Sequence, residues 1–288
     1  MIKLLALDLD GTLLDSRGKI SEENKTAIRR AEEKGVLVTI ATGRRFRDAR
    51  PVALEIGFNA PIVTHNGALL KFAESLVTVE FSLLASETAR EILRVGKATG
   101  GDALVSIDPH GSGTLLYDTV SDENLPLKKY IAWARSLHGD EAEESVRHVR
   151  DLREIVEQTE VVHISFSGAC APMFEMQQIL EGELQNSVNI LATVYPHLDF
   201  TLLDLLPPDA SKGIGVEKLA ARHGFGHENV MVCGDNFNDL EMLEFAGTPV
   251  VMGNAAPELQ EREDFYTTLS NDENGVAAAI ERFILAAD

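Results

Sequence analysis

The sequence has 288 residues, 44% hydrophobic and 25% charged, which is room for one large globular domain or two modest ones. A formal net charge of −20 argues against nucleic acid and anionic membrane as partners but not against a phosphorylated small molecule, because one bound cation and a few basic side chains reverse the field locally. Asp8 interrupts the first apolar run too early for a signal peptide, no 18 apolar residues run unbroken, and two distant cysteines, Cys170 and Cys233, make neither a disulfide framework nor a zinc site, so a cytoplasmic location is expected.

The first apolar run, residues 2–7, leads into Asp8-Leu9-Asp10-Gly11-Thr12. Similar runs recur at 36–41, 62–63, 230–233 and 250–252, and continuous apolar runs suit strands buried on both faces of a parallel sheet. Helical patterns lie between them. One covers 22–34, with Ser21 as cap and Gly35 as stop; another covers 213–223, beginning near Ser211 and ending at Gly224. This alternation predicts a doubly wound α/β sheet.

From about residue 86 to 207 the pattern changes. Apolar and polar residues alternate in Val161-Val162-His163-Ile164-Ser165-Phe166 and in Phe200-Thr201-Leu202-Leu203-Asp204, which predicts one-sided strands. Helices are expected at 87–99, 127–137 and 171–184, and a turn at His110-Gly111-Ser112-Gly113. The chain therefore reads as a core of residues 1–84 and 207–288 interrupted by an α+β insertion, 85–206. Pro207-Pro208 marks the return, since neither residue can donate to a sheet ladder.

Open parallel sheets bind ligands at the carboxyl ends of their strands. Three of the apolar runs end there in residues suited to phosphoryl transfer. Asp8 can attack phosphorus as a carboxylate nucleophile. Asp10 can protonate the leaving oxygen and later take a proton from water. Gly11 lets the chain turn sharply. After the second run, the Thr42 hydroxyl and Gly43 amide can donate to a phosphate oxygen, with Arg44 adding charge; Arg45 and Arg47 read equally well as a solvated helix face.

Lys212 stands at the first turn of a helix, the end where a cation opposes the dipole, so its place is not explained by helix stability. It can neutralise both a phosphoryl group and the attacking carboxylate. In Gly234-Asp235-Asn236-Phe237-Asn238-Asp239, Asp235 can hold Mg²⁺ together with Asp8 and the backbone carbonyl of Asp10. Asn238 can donate to phosphate, and Asp239 can hold Lys212 or metal-bound water. Helix capping accounts for one of these residues but not the whole string.

In this order the four segments resemble the haloacid-dehalogenase-like superfamily of phosphohydrolases. Asp8-Leu9-Asp10-Gly11-Thr12-Leu13-Leu14 is similar to its first motif, Thr42 to its second, Lys212 to its third and Gly234–Asp239 to its fourth. Ile40-Ala41-Thr42-Gly43-Arg44 and Thr64-His65-Asn66-Gly67-Ala68 resemble the Cof-type sugar-phosphate phosphatases with a type IIB cap. The resemblance implies a Rossmann-like core, an inserted mobile cap that sets specificity, and Mg²⁺ dependence. It implies Asp8 as nucleophile and Asp10 as acid/base. Asp8, Asp10 and Asp235 would hold the metal, Asn236 would make an occasional outer or carbonyl contact, and Thr42, Gly43, Lys212 and Asn238 would bind phosphate.

The expected activity is hydrolysis of small phosphate monoesters, such as sugar phosphates, through an aspartyl-phosphate on Asp8. The alternatives are a phosphotransferase similar to phosphomannomutase and a non-catalytic sugar-phosphate sensor. A zinc hydrolase on His223 and His227 has suitable spacing, but Gly224 and Gly226 between them disfavour the helix it needs.

Overall fold

Five strands, Leu4–Leu7, Leu37–Ile40, Val230–Gly234, Thr248–Val251 and Tyr266–Thr267, form an all-parallel sheet in the computed structural model, which describes residues 1–286. Leu4–Leu7 lies between Leu37–Ile40 and Val230–Gly234, and the two later strands extend outward from Val230–Gly234. Chain direction across the sheet thus reverses between Leu4–Leu7 and Val230–Gly234, the switch point at which such sheets leave a crevice. Every residue of both strands is buried, as a parallel sheet covered on both faces requires.

Side-chain caps fix the helices that follow. Ser21 accepts the Asn24 amide at the start of Glu22–Glu33, and Ser211 accepts the Ile214 amide at the start of Lys212–Arg222, both at 3.1 Å. Glu22–Glu33 buries Ala27, Ile28 and Ala31. The second cap sets Lys212 as the first helical residue, buried with Gly213, Gly215 and Val216.

The expected strand Ile62–Thr64 meets the core sheet through a parallel bridge, Ala41 to Val63, and on its other side pairs antiparallel with Leu69–Lys71. Only the short turn His65–Gly67 and Ala68 separate the two strands, and a connection that short can only return antiparallel. A helix that the sequence pattern did not give, Phe46–Ile56, carries Pro51 inside it, which masks the helical signal.

Two compact units divide the chain. One comprises residues 1–44, 49–75 and those from 211 onward; the other comprises Arg45–Asp48 and Leu76–Ala210. The second unit has a six-stranded sheet in the order Asn189–Tyr195, Phe200–Leu206, Val161–Gly168, Asp102–Ile107, Thr114–Tyr117, Val146–His148. Its pairs are antiparallel except the last. Helices Ser86–Ala98 and Cys170–Leu184 supply Ile92, Leu93, Met176 and Leu180 to an apolar cluster with Val105, Ile164, Phe166 and Leu203 of the sheet. Leu125–His138 packs Leu127, Ile131 and Ala134 against Leu104 and Leu115. Among the described residues no helix is long and apolar enough to cross a membrane. The architecture is a Rossmann-like α/β core with an inserted α+β unit.

Candidate active site

Asp8 and Asp235 follow the two strands that flank the switch point, so the backbone brings together residues 227 positions apart. The Asp8 amide donates to the Cys233 carbonyl at 2.9 Å, which extends the strand pairing to the first carboxylate. Lys212 Nζ donates to Asp8 Oδ1 and to Asp239 Oδ1, both at 2.6 Å. All three of these groups are buried. Carboxylate oxygens of Asp8, Asp235 and Asp239 lie within 4.8 Å of one another, close enough to hold one metal ion.

The electrostatics of this cluster are unbalanced. Burial pushes the Asp8 carboxyl well above its ordinary pKa, Asp239 and Asp235 add to the rise, and Lys212 opposes it. Asp235 is pushed up to about 6, chiefly by burial and then by Asp239, against the Thr12 hydrogen bond and Lys212. Burial also disfavours the charge on Lys212, yet Asp239 and Asp8 outweigh it and raise that pKa. One ammonium among three carboxylates leaves excess negative charge that a divalent cation would neutralise. The donor set is all oxygen, which fits a hard cation rather than zinc or copper.

Gly11 has a φ of +82°, the turn expected of it, and a second constraint appears in three dimensions. A Cβ there would lie 2.3 Å from Asp235 Oδ2, so the backbone passes against the carboxylate with no room for a side chain. Thr12 Oγ1 donates to Asp235 Oδ1 at 3.0 Å, and Asn254 Nδ2 donates to the Gly11 carbonyl at 2.8 Å. The sequence marks Thr12, which completes Asp-x-Asp-Gly-Thr, whereas nothing around Asn254 signals its contact.

Asp10 points its carboxylate to Arg44, and its side chain is 58% exposed. Its charge still reaches Asp235 and contributes to the raised pKa there. Thr42 and Gly43 follow the adjoining strand Leu37–Ile40. The Thr42 hydroxyl accepts the Arg44 amide at 3.1 Å, which leaves its proton for an outside acceptor. Asn66 packs on Gly43, its Oδ1 3.0 Å from where a Cβ would stand, and both His65 and Asn66 adopt positive φ. For a non-glycine residue that backbone is costly and marks a turn held by its surroundings.

In the last motif, Asp239 Oδ2 accepts the amides of Asp235 and Asn236 at 2.9 and 3.1 Å while Oδ1 takes Lys212. Asp239 therefore shapes the loop and fixes the lysine at once. Asn236 is exposed and caps the turn Phe237–Asp239. Asn238 is partly buried, and its Oδ1 is enclosed without a hydrogen-bond partner.

Arg45 and Arg47 form no solvated face. Both are buried in the second unit, Arg45 on Asp48 and Ser145, Arg47 on the Gly113 carbonyl and Glu141. Among the described residues, the metal-capable group is Asp8, Asp235 and Asp239; His223 and His227 do not belong to it. His223 ends the helix Lys212–Arg222 and His227 opens a separate turn, so the spacing needed for zinc is not realised. Burial raises the Cys233 thiol pKa, as expected of an inert core cysteine.

Residues 5–280 match the family model for haloacid dehalogenase-like hydrolases. The 5-amino-6-(5-phospho-D-ribitylamino)uracil phosphatase YcsE of Bacillus subtilis (strain 168) is 29% identical over 285 residues, covering 99% of this chain and 96% of that protein. The HMP-PP phosphatase of Serratia proteamaculans (strain 568) is 26% identical over 260 residues, covering 90% and 87%. A solved haloacid dehalogenase-like hydrolase from Bacteroides thetaiotaomicron is 26% identical and superposes with a TM-score of 0.79, covering 98% of this chain and 99% of that one. With nearly its whole length matched, this chain belongs to the haloacid dehalogenase-like hydrolases and is a phosphoric monoester hydrolase.

Proposed function

We propose that the protein is a Mg²⁺-dependent phosphatase of small phosphate monoesters, such as sugar phosphates, working through an aspartyl-phosphate on Asp8. The observation that carries this reading is Lys212 bridging Asp8 and Asp239 at 2.6 Å beside Asp235. It is a buried carboxylate with one oxygen fixed by a cation and its neighbour suited to a metal.

In the first half-reaction an Asp8 oxygen attacks phosphorus, the bond to the ester oxygen breaks, and Asp10 gives that oxygen its proton. The alcohol leaves. Water then attacks the phospho-enzyme and surrenders a proton to Asp10, and the bond to Asp8 breaks to release inorganic phosphate. Lys212, the Thr42 hydroxyl, the Gly43 amide and Asn238 bind the phosphoryl oxygens on which charge gathers. Asn238 suits that role because exchanging its amide oxygen and nitrogen would turn the enclosed, unpartnered atom into a donor. Mg²⁺, held by Asp8, the Asp10 carbonyl and Asp235, would supply charge neutralisation. Asp239 and Asn236 shape its loop. The insertion chooses the ester; the related phosphatases are named for different phosphate esters, so the substrate is not carried over from either.

Asp8→Asn is expected to abolish turnover of p-nitrophenyl phosphate, and chelation is expected to silence the wild type until Mg²⁺ is restored. Retained activity in Asp8→Asn would end the proposal. Release of free phosphate without an acceptor sugar separates hydrolysis from phosphoryl transfer.

A further inference from the structure

Gly11 sits between Asp10 and Thr12 in the turn that carries the site, and Asp235 fills the place where its Cβ would stand. Glycine permits that close approach but leaves the backbone its greatest freedom, so other residues must hold the turn. Three side chains from the last part of the chain do so. Asn254 Nδ2 donates to the Gly11 carbonyl at 2.8 Å, Asn271 Nδ2 donates to the Leu14 carbonyl at 2.9 Å, and Asp272 Oδ1 accepts the Ser16 amide at 2.8 Å. All of these residues belong to the first compact unit.

The segments that supply these contacts brace one another. Asn254 Oδ1 accepts the Asn271 amide at 2.9 Å. A backbone N–H can only donate, so this bond fixes which atom of the Asn254 amide faces Asn271 and leaves Nδ2 for Gly11. The Gly253 amide donates to the Leu269 carbonyl at 3.1 Å, and a Cβ on Gly253 would lie 2.9 Å from the Ser270 nitrogen, so the two segments run in contact. Ser270 and Glu273 close a capping box around the turn Asn271–Glu273. The effect passes to the site through rigid groups. A peptide unit is planar, so holding the Gly11 carbonyl holds the Thr12 amide and Cα with it. Thr12 in turn places its hydroxyl on Asp235 Oδ1 at 3.0 Å.

We propose that Asn254 and Asn271 are positioning residues for phosphoryl transfer, a clamp on the turn Gly11–Leu14 that keeps the Asp10 carbonyl and Asp235 at the spacing a Mg²⁺ ion requires. The proposal rests on the phosphatase reading above, in which those two groups hold the cation. Mg²⁺ demands near-ideal octahedral geometry, so a turn that drifts weakens its binding. The bonds of the clamp go to backbone carbonyls rather than to the carboxylates, and outer contacts of that kind orient the groups that meet a metal. Asn254 is exposed, so it adds little to the core, and its loss reads at the site rather than in folding.

The test titrates Mg²⁺ in the wild type, Asn254→Ala and Asn271→Ala, reading both the rise in melting temperature and the turnover of p-nitrophenyl phosphate. Asn254→Ala is expected to raise the half-saturating Mg²⁺ concentration about tenfold by both readouts, with KM for the ester within about twofold. Asn271→Ala is expected to raise it about threefold, because the backbone amide of residue 271 still holds Asn254. An Asn254→Ala that folds and keeps its half-saturating Mg²⁺ within about twofold of the wild type overturns the clamp. So does one that melts lower in chelator yet responds to Mg²⁺ as the wild type does, since that is a structural role only. Should Asn254→Ala fail to fold, Asn271→Ala decides, and a wild-type Mg²⁺ response in that variant overturns the clamp. A wild type that neither responds to Mg²⁺ nor hydrolyses the ester overturns the phosphatase reading and the clamp with it.

Discussion

Arg44 grips both carboxylate oxygens of Asp10, Nε donating to Oδ2 at 2.8 Å and Nη2 to Oδ1 at 2.5 Å. Sequence reasoning set this arginine beside the phosphate, whereas its planar fork engages the carboxylate proposed to carry the proton. A bidentate pair fixes orientation as well as charge. Arg44→Gln is therefore expected to lower kcat for p-nitrophenyl phosphate about tenfold with KM within about twofold, a fraction of what acid/base catalysis contributes. Arg44→Lys should recover only part of the loss, since an ammonium cannot span both oxygens. Raised KM with intact kcat would return Arg44 to phosphate binding.

The acidic cluster makes a prediction about stability that runs opposite to activity. Asp8 has a folded pKa raised above its unfolded value, so ionisation disfavours the fold, and the strain is present at neutral pH and relieved in acid. In chelator at pH 7, Asp8→Asn is expected to be more stable than the wild type by about 1–3 kcal/mol. Adding Mg²⁺ should raise the wild-type melting temperature more than that of Asp8→Asn or Asp235→Asn. Thermal melts with and without Mg²⁺ check both, and an Asp8→Asn that melts lower in chelator contradicts the account.

Removing the cation from this cluster should do the reverse. Lys212 is 2% exposed with two carboxylates on its ammonium, and Lys212→Met leaves both without it. The expected cost is about 3–5 kcal/mol, together with loss of turnover. Adding Asp8→Asn should restore part of the stability, because the repulsion between Asp8 and Asp239 is then removed, and none of the activity. Urea titration of the two variants and the double mutant measures the coupling; strictly additive effects would mean that the contact contributes nothing.

The core was legible because its signals are local. Apolar runs ending in Asp8, Thr42 and Asp235, and serine caps three residues ahead of the Asn24 and Ile214 amides, each depend on a few adjacent residues. What escaped depends on contacts between distant segments. Asn254 reaches back across 243 positions to the Gly11 carbonyl, and nothing around it in sequence marks that. Arg45 and Arg47 read equally well as charge for a phosphate or as a solvated helix face, yet Ser145, Gly113 and Glu141, far along the chain, take them out of water within the second unit. Alternation in Val161–Gly168 correctly gave an apolar face. It could not report that the polar face is buried too, since period alone does not say what covers a surface.

Asp48 offers the last prediction, in the second unit. Its buried carboxylate accepts from Arg45 Nε at 2.5 Å, Tyr130 Oη at 2.9 Å and His138 Nε2 at 2.9 Å. Burial by itself would raise its pKa, but the bonds from His138, Arg45 and Tyr130 outweigh burial and hold it below the ordinary 3.8. A depressed folded pKa stabilises the fold at every pH above the unfolded value and ceases to do so as pH falls through the folded one. Asp48→Asn leaves the Arg45 guanidinium buried and uncompensated, a cost of about 3–5 kcal/mol at neutral pH. Urea midpoints of the wild type and Asp48→Asn should differ by the same amount at pH 7 and at about pH 5.5, then converge below about pH 4 as the wild-type carboxylate is protonated. A gap that is as wide in acid as at neutrality would show that packing around residue 48, rather than its negative charge, is what the substitution removes.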